Sequence, residues 1–180
     1  MADDPPPLTA RQSEILAVGR RLLADEGVDA LTLGRIAREL GIRTPSLYKH
    51  FAGKRELEAR LVAEGLEGSA QALESAGPDL AGIAAAYRRF ALANPNLYRL
   101  MTERPLPRER LPEGLEARAA APLLGALGDA DLARAAWAFA HGMVELELAG
   151  RFPPGADLDS AWAKATRALA RGDGARRRSP

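Results

Sequence analysis

The chain has 180 residues, with 25 Lys and Arg against 24 Asp and Glu, a net charge of about +1 and no cysteine. This length fits one domain or two small ones, and the composition excludes disulfides, cysteine nucleophiles and cysteine-ligated zinc. Only two histidines occur, the first residues carry no apolar leader, and no apolar stretch of about 18 residues exists. We therefore expect a cytoplasmic protein with no membrane span, no metal site and no cofactor.

The N-terminal part of the sequence predicts a short arm followed by one long helix. Residues 1–8 hold two aspartates and three prolines, and we expect them to form a disordered arm. Apolar residues then recur every three or four positions. This spacing predicts a helix from Ala10 to Glu26 that ends before Gly27.

Two short helices joined by a glycine turn are predicted next. Thr32 can cap the first of them, because its hydroxyl can accept a hydrogen bond from a free first-turn amide, and Gly41 can end it. Thr44 is expected to cap the second helix, with Pro45 at its first position. Together they have the pattern of a helix-turn-helix. A longer connecting helix is expected over 54–75.

The remaining sequence also predicts helices. Alanine and leucine dominate it, and no alternating run of β-branched residues occurs. We expect an all-α fold of about nine helices and a disordered basic tail over 171–180. The further helices are expected near residues 79–94, 97–103, 115–127, 129–149 and 157–169.

Positive charge is concentrated in the helix-turn-helix. Residues 32–55 contain six Lys and Arg and one Glu, a local net charge of +5 in a chain that is almost neutral. Such a patch attracts the phosphate backbone of DNA. Polar and basic side chains are expected on the exposed side of the second short helix: Arg43, Thr44, Pro45, Ser46, Tyr48, Lys49 and His50. From spacing alone, a DNA-binding face and a merely solvated charged face are about equally expected.

A longer motif favours DNA binding. The string LTLGRIARELGIRTPSLYKHFAGKRELEARL resembles the DNA-binding domain of the TetR family of bacterial transcriptional regulators. The resemblance covers residues 9–62, and its most specific part is Ser46–Phe51 followed by Lys54. Two further strings, Asn94–Met101 and Trp137–Phe152, resemble TetR C-terminal domains named for a Trp…His-Gly signature.

The resemblance implies a homodimer that binds double-stranded operator DNA. Each subunit would place its third helix in a major groove, while the rest of the chain dimerises and binds a small-molecule effector. We therefore expect a three-helix, helix-turn-helix DNA-binding domain at 9–55 and a helical effector-binding and dimerisation domain at 56–170. Most members of this family are repressors, so release of a repressor by its effector is the expected mode.

The resemblance also implies roles for single residues. Positions that usually contact phosphates are occupied by Thr32, Tyr48 and Lys54. Variable positions that reach toward bases are occupied by Arg43, Thr44, Pro45 and Ser46. Arg43 suits a bidentate contact to guanine, and Pro45 suits a thymine methyl group. Lys49 and His50 can meet either phosphates or bases, and His50 can equally be a packing residue.

The helix expected over 129–149 is apolar around more than half of its circumference. A helix of this kind is buried on several sides, and its strip of small residues allows close approach by another helix. With the last helix as its companion, it predicts a four-helix interface about a two-fold axis. The expected interface residues are Leu132, Ala135, Phe139, Gly142, Met143, Leu146 and Trp162.

A pocket for an apolar effector is expected among the C-terminal helices. Its candidate lining residues are Tyr87, Phe90, Tyr98, Met101, Leu124, Trp137 and His141. The alternative for each is plain core packing, and for His141 a hydrogen-bonded buried histidine.

Two other functions remain as alternatives. One is a helical protein-interaction module that does not bind DNA. The other is a helical enzyme, which is disfavoured because no nucleophile with an evident base, no metal-ligand spacing and no glycine-rich phosphate loop occurs. Arg176–Arg178 can touch nucleic acid or simply be solvated.

Overall fold

The computed structural model describes residues 8–176, with side chains to Arg171 in the last helix. The described residues form nine α-helices, two short 3-10 turns (Val28–Ala30 and Arg108–Arg110) and no strand, which confirms the all-α prediction. The helices are α1 (Ala10–Glu26), α2 (Leu33–Glu39), α3 (Thr44–Leu47), α4 (Lys54–Glu74), α5 (Leu80–Ala93), α6 (Pro95–Thr102), α7 (Leu115–Leu127), α8 (Ala130–Leu148) and α9 (Leu158–Arg176). Residues 1–7 and 177–180, which include most of the expected arm and the end of the expected tail, lie outside the described residues.

The chain divides into two compact units. The first contains Met1–Glu67 together with Asn94–Glu116, and the second contains Gly68–Ala93 together with Ala117–Pro180. α6 and the segment after it thus belong to the same compact unit as the helix-turn-helix. This division differs from the functional boundary that we expect near residue 55. The physical reason is that apolar residues of this segment, Leu97, Leu100, Met101, Leu106 and Leu111, pack against the core of the first unit.

The core of the first unit joins α1, α2, α3 and the start of α4. Its fully buried side chains include Ile15, Leu16, Leu31, Ile36, Leu47, Leu57 and Leu61. α1 starts with a capping box, in which Thr9 Oγ1 accepts from the Gln12 amide and Gln12 Oε1 accepts from the Thr9 amide. Thr32 caps α2 as expected, by accepting from the Arg35 amide at 3.2 Å.

The start of α3 differs from the expectation. The N-cap position is held by Arg43, whose backbone is extended and whose side chain makes no capping hydrogen bond. Thr44 is the first residue of the helix, so its expected role as the cap was wrong. The Ser46 amide already bonds to the Arg43 carbonyl at 2.9 Å, which places the first turn one residue earlier. Gly41, at φ +64°, makes the turn before it, a conformation that a side chain disfavours.

A glycine lets α6 lie close to α4 in the first unit. A Cβ at Gly65 would lie 2.5 Å from Met101 Sδ, so only a glycine fits without a shift of Met101. α6 also contacts α1, where Asn96 Nδ2 donates to the Ala24 carbonyl at 3.0 Å. These contacts position α6 on the helix-turn-helix.

In the second unit, α5 packs against both α8 and α9. Arg88 of α5 donates to Glu147 of α8 and to Asp159 in the first turn of α9. α9 extends beyond the expected end at residue 169, so residues 171–176 are helical rather than part of a disordered tail. Helix propensity alone does not predict this extension, because the stretch holds two glycines and an aspartate against one alanine and two arginines. No helix in the described part of the chain is long and apolar enough to cross a membrane.

Candidate nucleic-acid interface

Two buried side chains fix the orientation of α3. Leu47 is 0% exposed and Phe51 is 2% exposed, and they face the core of the first unit four residues apart. The side chains between them consequently face outward: Tyr48 is 58% exposed and Lys49 is also exposed. By anchoring α3 in the core, Leu47 and Phe51 leave the Tyr48 hydroxyl and the Lys49 ammonium group exposed to solvent.

The residues expected to reach toward bases lie side by side at the start of α3. Arg43 and Pro45 are exposed, while Thr44 and Ser46 are half-buried. All four occupy the N-cap and the first turn, so the structure brings this predicted set together. A short helix whose first turn carries exposed polar groups can meet base edges in a major groove.

Ion pairs leave most of the local positive charge available. Of the six cations in 32–55, Arg35 pairs with Glu26 at 2.8 Å and Glu39 at 3.4 Å, and Lys54 pairs with Glu58 at 3.6 Å. Among the side chains that the structure describes, the other four have no carboxylate within 4.0 Å. These four are Arg38, Arg43, Lys49 and Arg55. They retain their charge for a polyanion.

Thr32 and His50 have local partners of different kinds. The Thr32 hydroxyl oxygen accepts the amide that it caps, which leaves its own proton free to be donated. The backbone carbonyl of His50 accepts from Gln12 Nε2 at 3.0 Å, and its side chain is half-buried. Sequence reasoning missed Gln12. The Thr-x-x-Gln pattern at the start of α1 could have predicted its capping role, but not its bond to the His50 carbonyl.

Two family models match this chain. Residues 15–61 match the model described as bacterial regulatory proteins of the tetR family, and residues 80–169 match a tetracyclin repressor-like C-terminal domain. The chain belongs to the TetR family. The first match includes all the residues of the candidate DNA-binding surface. The second includes both C-terminal strings, Asn94–Met101 and Trp137–Phe152, in full.

Relatives and solved structures agree with this membership. The HTH-type transcriptional regulator Rv1816 of Mycobacterium tuberculosis is 30% identical over 128 residues, which are 66% of this chain and 55% of that protein. The chain thus spans about half the length of the curated relatives it matches first. The crystal structure of regulatory protein SCO4313 has a TM-score of 0.68 and 28% identity, over 91% of this chain and 94% of that one. A protein from Rhodococcus sp. RHA1 has a TM-score of 0.69 and 26% identity, over 94% and 98%. The matched N-terminal model describes bacterial regulatory proteins, which agrees with the printed names of these relatives.

The seven pocket candidates of this TetR-family chain are divided between the two units. Tyr98 and Met101 belong to the first unit, where Tyr98 is buried and Met101 packs on the core. The other five belong to the second unit: Tyr87 packs against the core, Phe90 lies on Gly68, His141 is half-buried, and Leu124 and Trp137 are exposed. Trp137 stacks on His141 with ring centroids 6.1 Å apart.

A surface cavity of about 380 Å³, open to solvent and lined mostly by exposed residues, lies elsewhere in the second unit. None of the seven candidates lines this cavity. Its lining residues are Leu92, Glu147, Gly150, Phe152, Pro153, Gly155, Ala156 and Leu158. They come from the end of α5, the end of α8 and the loop to α9, a combination that only the tertiary fold creates.

The predicted interface residues differ in what a single chain exposes. Ala135 and Leu146 of α8 are exposed, and Leu132, Phe139, Gly142 and Met143 are half-buried. Trp162 differs, because it is 6% exposed and its indole Nε1 donates to Glu147 Oε1 at 2.7 Å. Its ring packs edge-on against Phe139, with the Arg88 guanidinium 5.7 Å from its centroid. Trp162 therefore packs inside its own unit in the single chain, and its expected place in the interface stays a prediction.

Arg88 and Glu64, which lie near these surfaces, have displaced pKa values. Burial lowers the pKa of Arg88, but its bonds to Asp159 and Glu147 outweigh this effect and leave it above the ordinary value. Burial raises the pKa of Glu64, against the opposing charge of Arg20 at 3.6 Å.

Among the described residues, no group of three or more histidine, aspartate or glutamate side chains is placed to hold a metal ion.

Proposed function

We propose that this chain is a dimeric, DNA-binding transcriptional regulator that acts on a palindromic operator, and most simply a repressor. The observation that carries the proposal is the exposure of Arg43, Tyr48 and Lys49 beside the buried anchors Leu47 and Phe51. In a dimer, two such helices about 34–36 Å apart would enter successive major grooves. Membership of the TetR family supports this function. Because bacterial operator DNA lies in the cytoplasm, we propose that the protein acts there.

The proposed contacts fall into two groups. Phosphates are contacted by Thr32, Tyr48 and Lys54, and bases are read by Arg43, Thr44, Pro45 and Ser46. Lys49 and His50 complete the surface. Four cations of the helix-turn-helix have no ion-pair partner among the described carboxylates. They support this division, because non-specific attraction requires charge that is not already neutralised.

We further propose that residues 9–55 form the DNA-binding domain and 56–170 the effector-binding and dimerisation domain. The effector is a small apolar molecule, and the cavity in the second unit supports this class. Leu92, Phe152 and Leu158 give it apolar walls, and Glu147 is its one acidic lining residue. An effector that binds better to a conformation unsuited to DNA shifts the population away from the operator-bound state.

The test is selection of bound duplexes from a random pool, with purified protein at two salt concentrations. We expect a palindromic motif whose affinity falls steeply as salt rises. A protein-interaction module would enrich no motif, and its partner would be retained at high salt through apolar contacts. Repeating the selection after unfolding, dialysis and refolding removes any bound effector, so absence of a motif in both forms contradicts the proposal.

A further inference from the structure

Two cations compete for one carboxylate oxygen beside the candidate DNA surface. Glu58 Oε1 lies 3.0 Å from Arg104 Nη1 and 3.6 Å from Lys54 Nζ. All three residues belong to the first unit, Lys54 and Glu58 one turn apart on α4 and Arg104 just after α6. Lys54 is the proposed phosphate ligand, so its ion pair with Glu58 opposes its contact with DNA.

The burial of Glu58 makes this competition unequal. Its side chain is only 13% exposed, whereas those of Lys54 and Arg104 are 37% and 55% exposed. A carboxylate removed from water to this extent is unfavourable without a cation close by. Arg104 supplies the shorter contact, and Lys54 is the other cation that the described side chains place on this oxygen. With Arg104 in place, Lys54 can leave Glu58 without leaving a buried charge unpaired.

We propose that Arg104 is a positioning residue for operator binding: it neutralises Glu58 and so frees Lys54 for a DNA phosphate. The inference rests on the proposed function, and it assigns Arg104 no contact with DNA. Loss of Arg104 would hold Lys54 on Glu58 and weaken DNA binding. Loss of the Glu58 charge would make Arg104 dispensable.

The experiment measures operator affinity by fluorescence anisotropy over a series of salt concentrations, for four full-length proteins. They are the wild type, Arg104→Ala, Glu58→Gln and the double variant. A loss of about 3-fold per subunit, typical of one partly exposed ion pair, gives a loss of about 10-fold for Arg104→Ala in a dimer. We expect Glu58→Gln to bind at least as tightly as the wild type. The double variant should match Glu58→Gln.

Arg108→Ala is the matched control, because it removes the same charge from the same segment. Arg108 bonds to Glu116 and not to Glu58, so this variant should bind the operator within about 2-fold of the wild type. Arg104→Lys should also stay close to the wild type. The salt dependence of Arg104→Ala should decrease in the same direction as that of Lys54→Ala, because both lose the same phosphate contact.

Each alternative has a distinct result. An equal loss from Arg104→Ala in the wild-type and Glu58→Gln backgrounds means that Arg104 contacts DNA itself, and overturns the proposal. Equal losses in Arg104→Ala and Arg108→Ala mean a general charge effect, and no loss means no role; both also overturn it. If Arg104→Ala does not fold by circular dichroism, weaker binding by Glu58→Gln alone overturns it. A wild type that binds no duplex instead contradicts the proposed function.

Discussion

At the residue scale, the candidate DNA-binding surface separates side chains that hold α3 in the core from side chains that face outward. Leu47 and Phe51 contribute to the core of the first unit, so their replacement would disturb folding. Arg43 is exposed and makes no capping bond, and the Arg43 carbonyl rather than its side chain bonds to Ser46. Removal of the Arg43 side chain therefore tests recognition without a change in the fold.

Arg43→Ala should reduce affinity for the selected operator by about 1–3 kcal/mol and relax the preference at one base position, if the guanidinium makes a bidentate contact. Lys54→Ala should instead weaken binding to all duplexes about equally, because a phosphate contact carries no sequence information. Dissociation constants on the operator, its single-base variants and a scrambled duplex distinguish the two. Equal losses of Arg43→Ala on operator and scrambled DNA would contradict base reading.

Glu64 gives a prediction about pH. Burial raises its pKa above that in the unfolded chain, so its ionisation disfavours the folded state, and the cost is greatest above the folded-state pKa. Glu64→Gln should therefore stabilise the protein at pH 7, by less than about 1 kcal/mol since the group is partly solvated. The gain should disappear below the pKa of the unfolded chain, about 4.3. Urea unfolding at pH 7 and pH 4 measures both, and a gain of the same size at both pH values would contradict this account.

At the element scale, local signals in the sequence predict where helices begin and end. α1 runs from Ala10 to Glu26 as predicted, and the Thr32 cap is confirmed, because a capping hydroxyl and a following glycine act within a few residues. The cap of α3 was misassigned to Thr44, since an arginine that caps through its backbone alone has no side-chain signature. Nothing in the sequence near Gln12 shows that its amide reaches residue 50.

Gln12 links the start of α1 to the residue that follows α3. Gln12→Ala loses the capping bond to the Thr9 amide and the bond to the His50 carbonyl, whereas Thr9→Ala loses only capping. We expect Gln12→Ala to lower the free energy of unfolding through the lost capping bond and, in addition, by about 1 kcal/mol through the lost bond to the His50 carbonyl, which is the net value of one hydrogen bond. It should also weaken operator binding several-fold, by loosening the end of α3, while Thr9→Ala leaves affinity unchanged. Urea unfolding and anisotropy measure the two effects, and equal affinities of the two variants would show that the His50 bond does not position α3.

At the scale of the whole molecule, the sequence predicts the fold class, and it predicts which residues of the candidate DNA-binding surface lie together better than it predicts which residues line a pocket. The residues of that surface fall within the 23 positions 32–54, so one local motif brings them together. The cavity combines Leu92, Glu147 and Phe152, which only packing of α5 on α8 places side by side. Trp162 shows the same limit: helical periodicity identifies an apolar face but not whether that face meets another helix of its own chain or a partner subunit.

Two substitutions separate these possibilities. Leu146 is 43% exposed in a single chain, so Leu146→Glu should leave thermal stability of the monomer almost unchanged but place unpaired charges in the proposed interface. We expect sedimentation velocity to show monomers, and operator affinity to fall because a monomer engages one half-site.

Trp162→Phe should instead lower stability and leave the dimer intact. It removes the donor to Glu147 Oε1 and should lower the free energy of unfolding by about 1–3 kcal/mol, while the dimer persists. If Leu146→Glu sediments as a dimer at the same concentration, Leu146 lies outside the interface; if Trp162→Phe dissociates without loss of stability, Trp162 contributes to it after all.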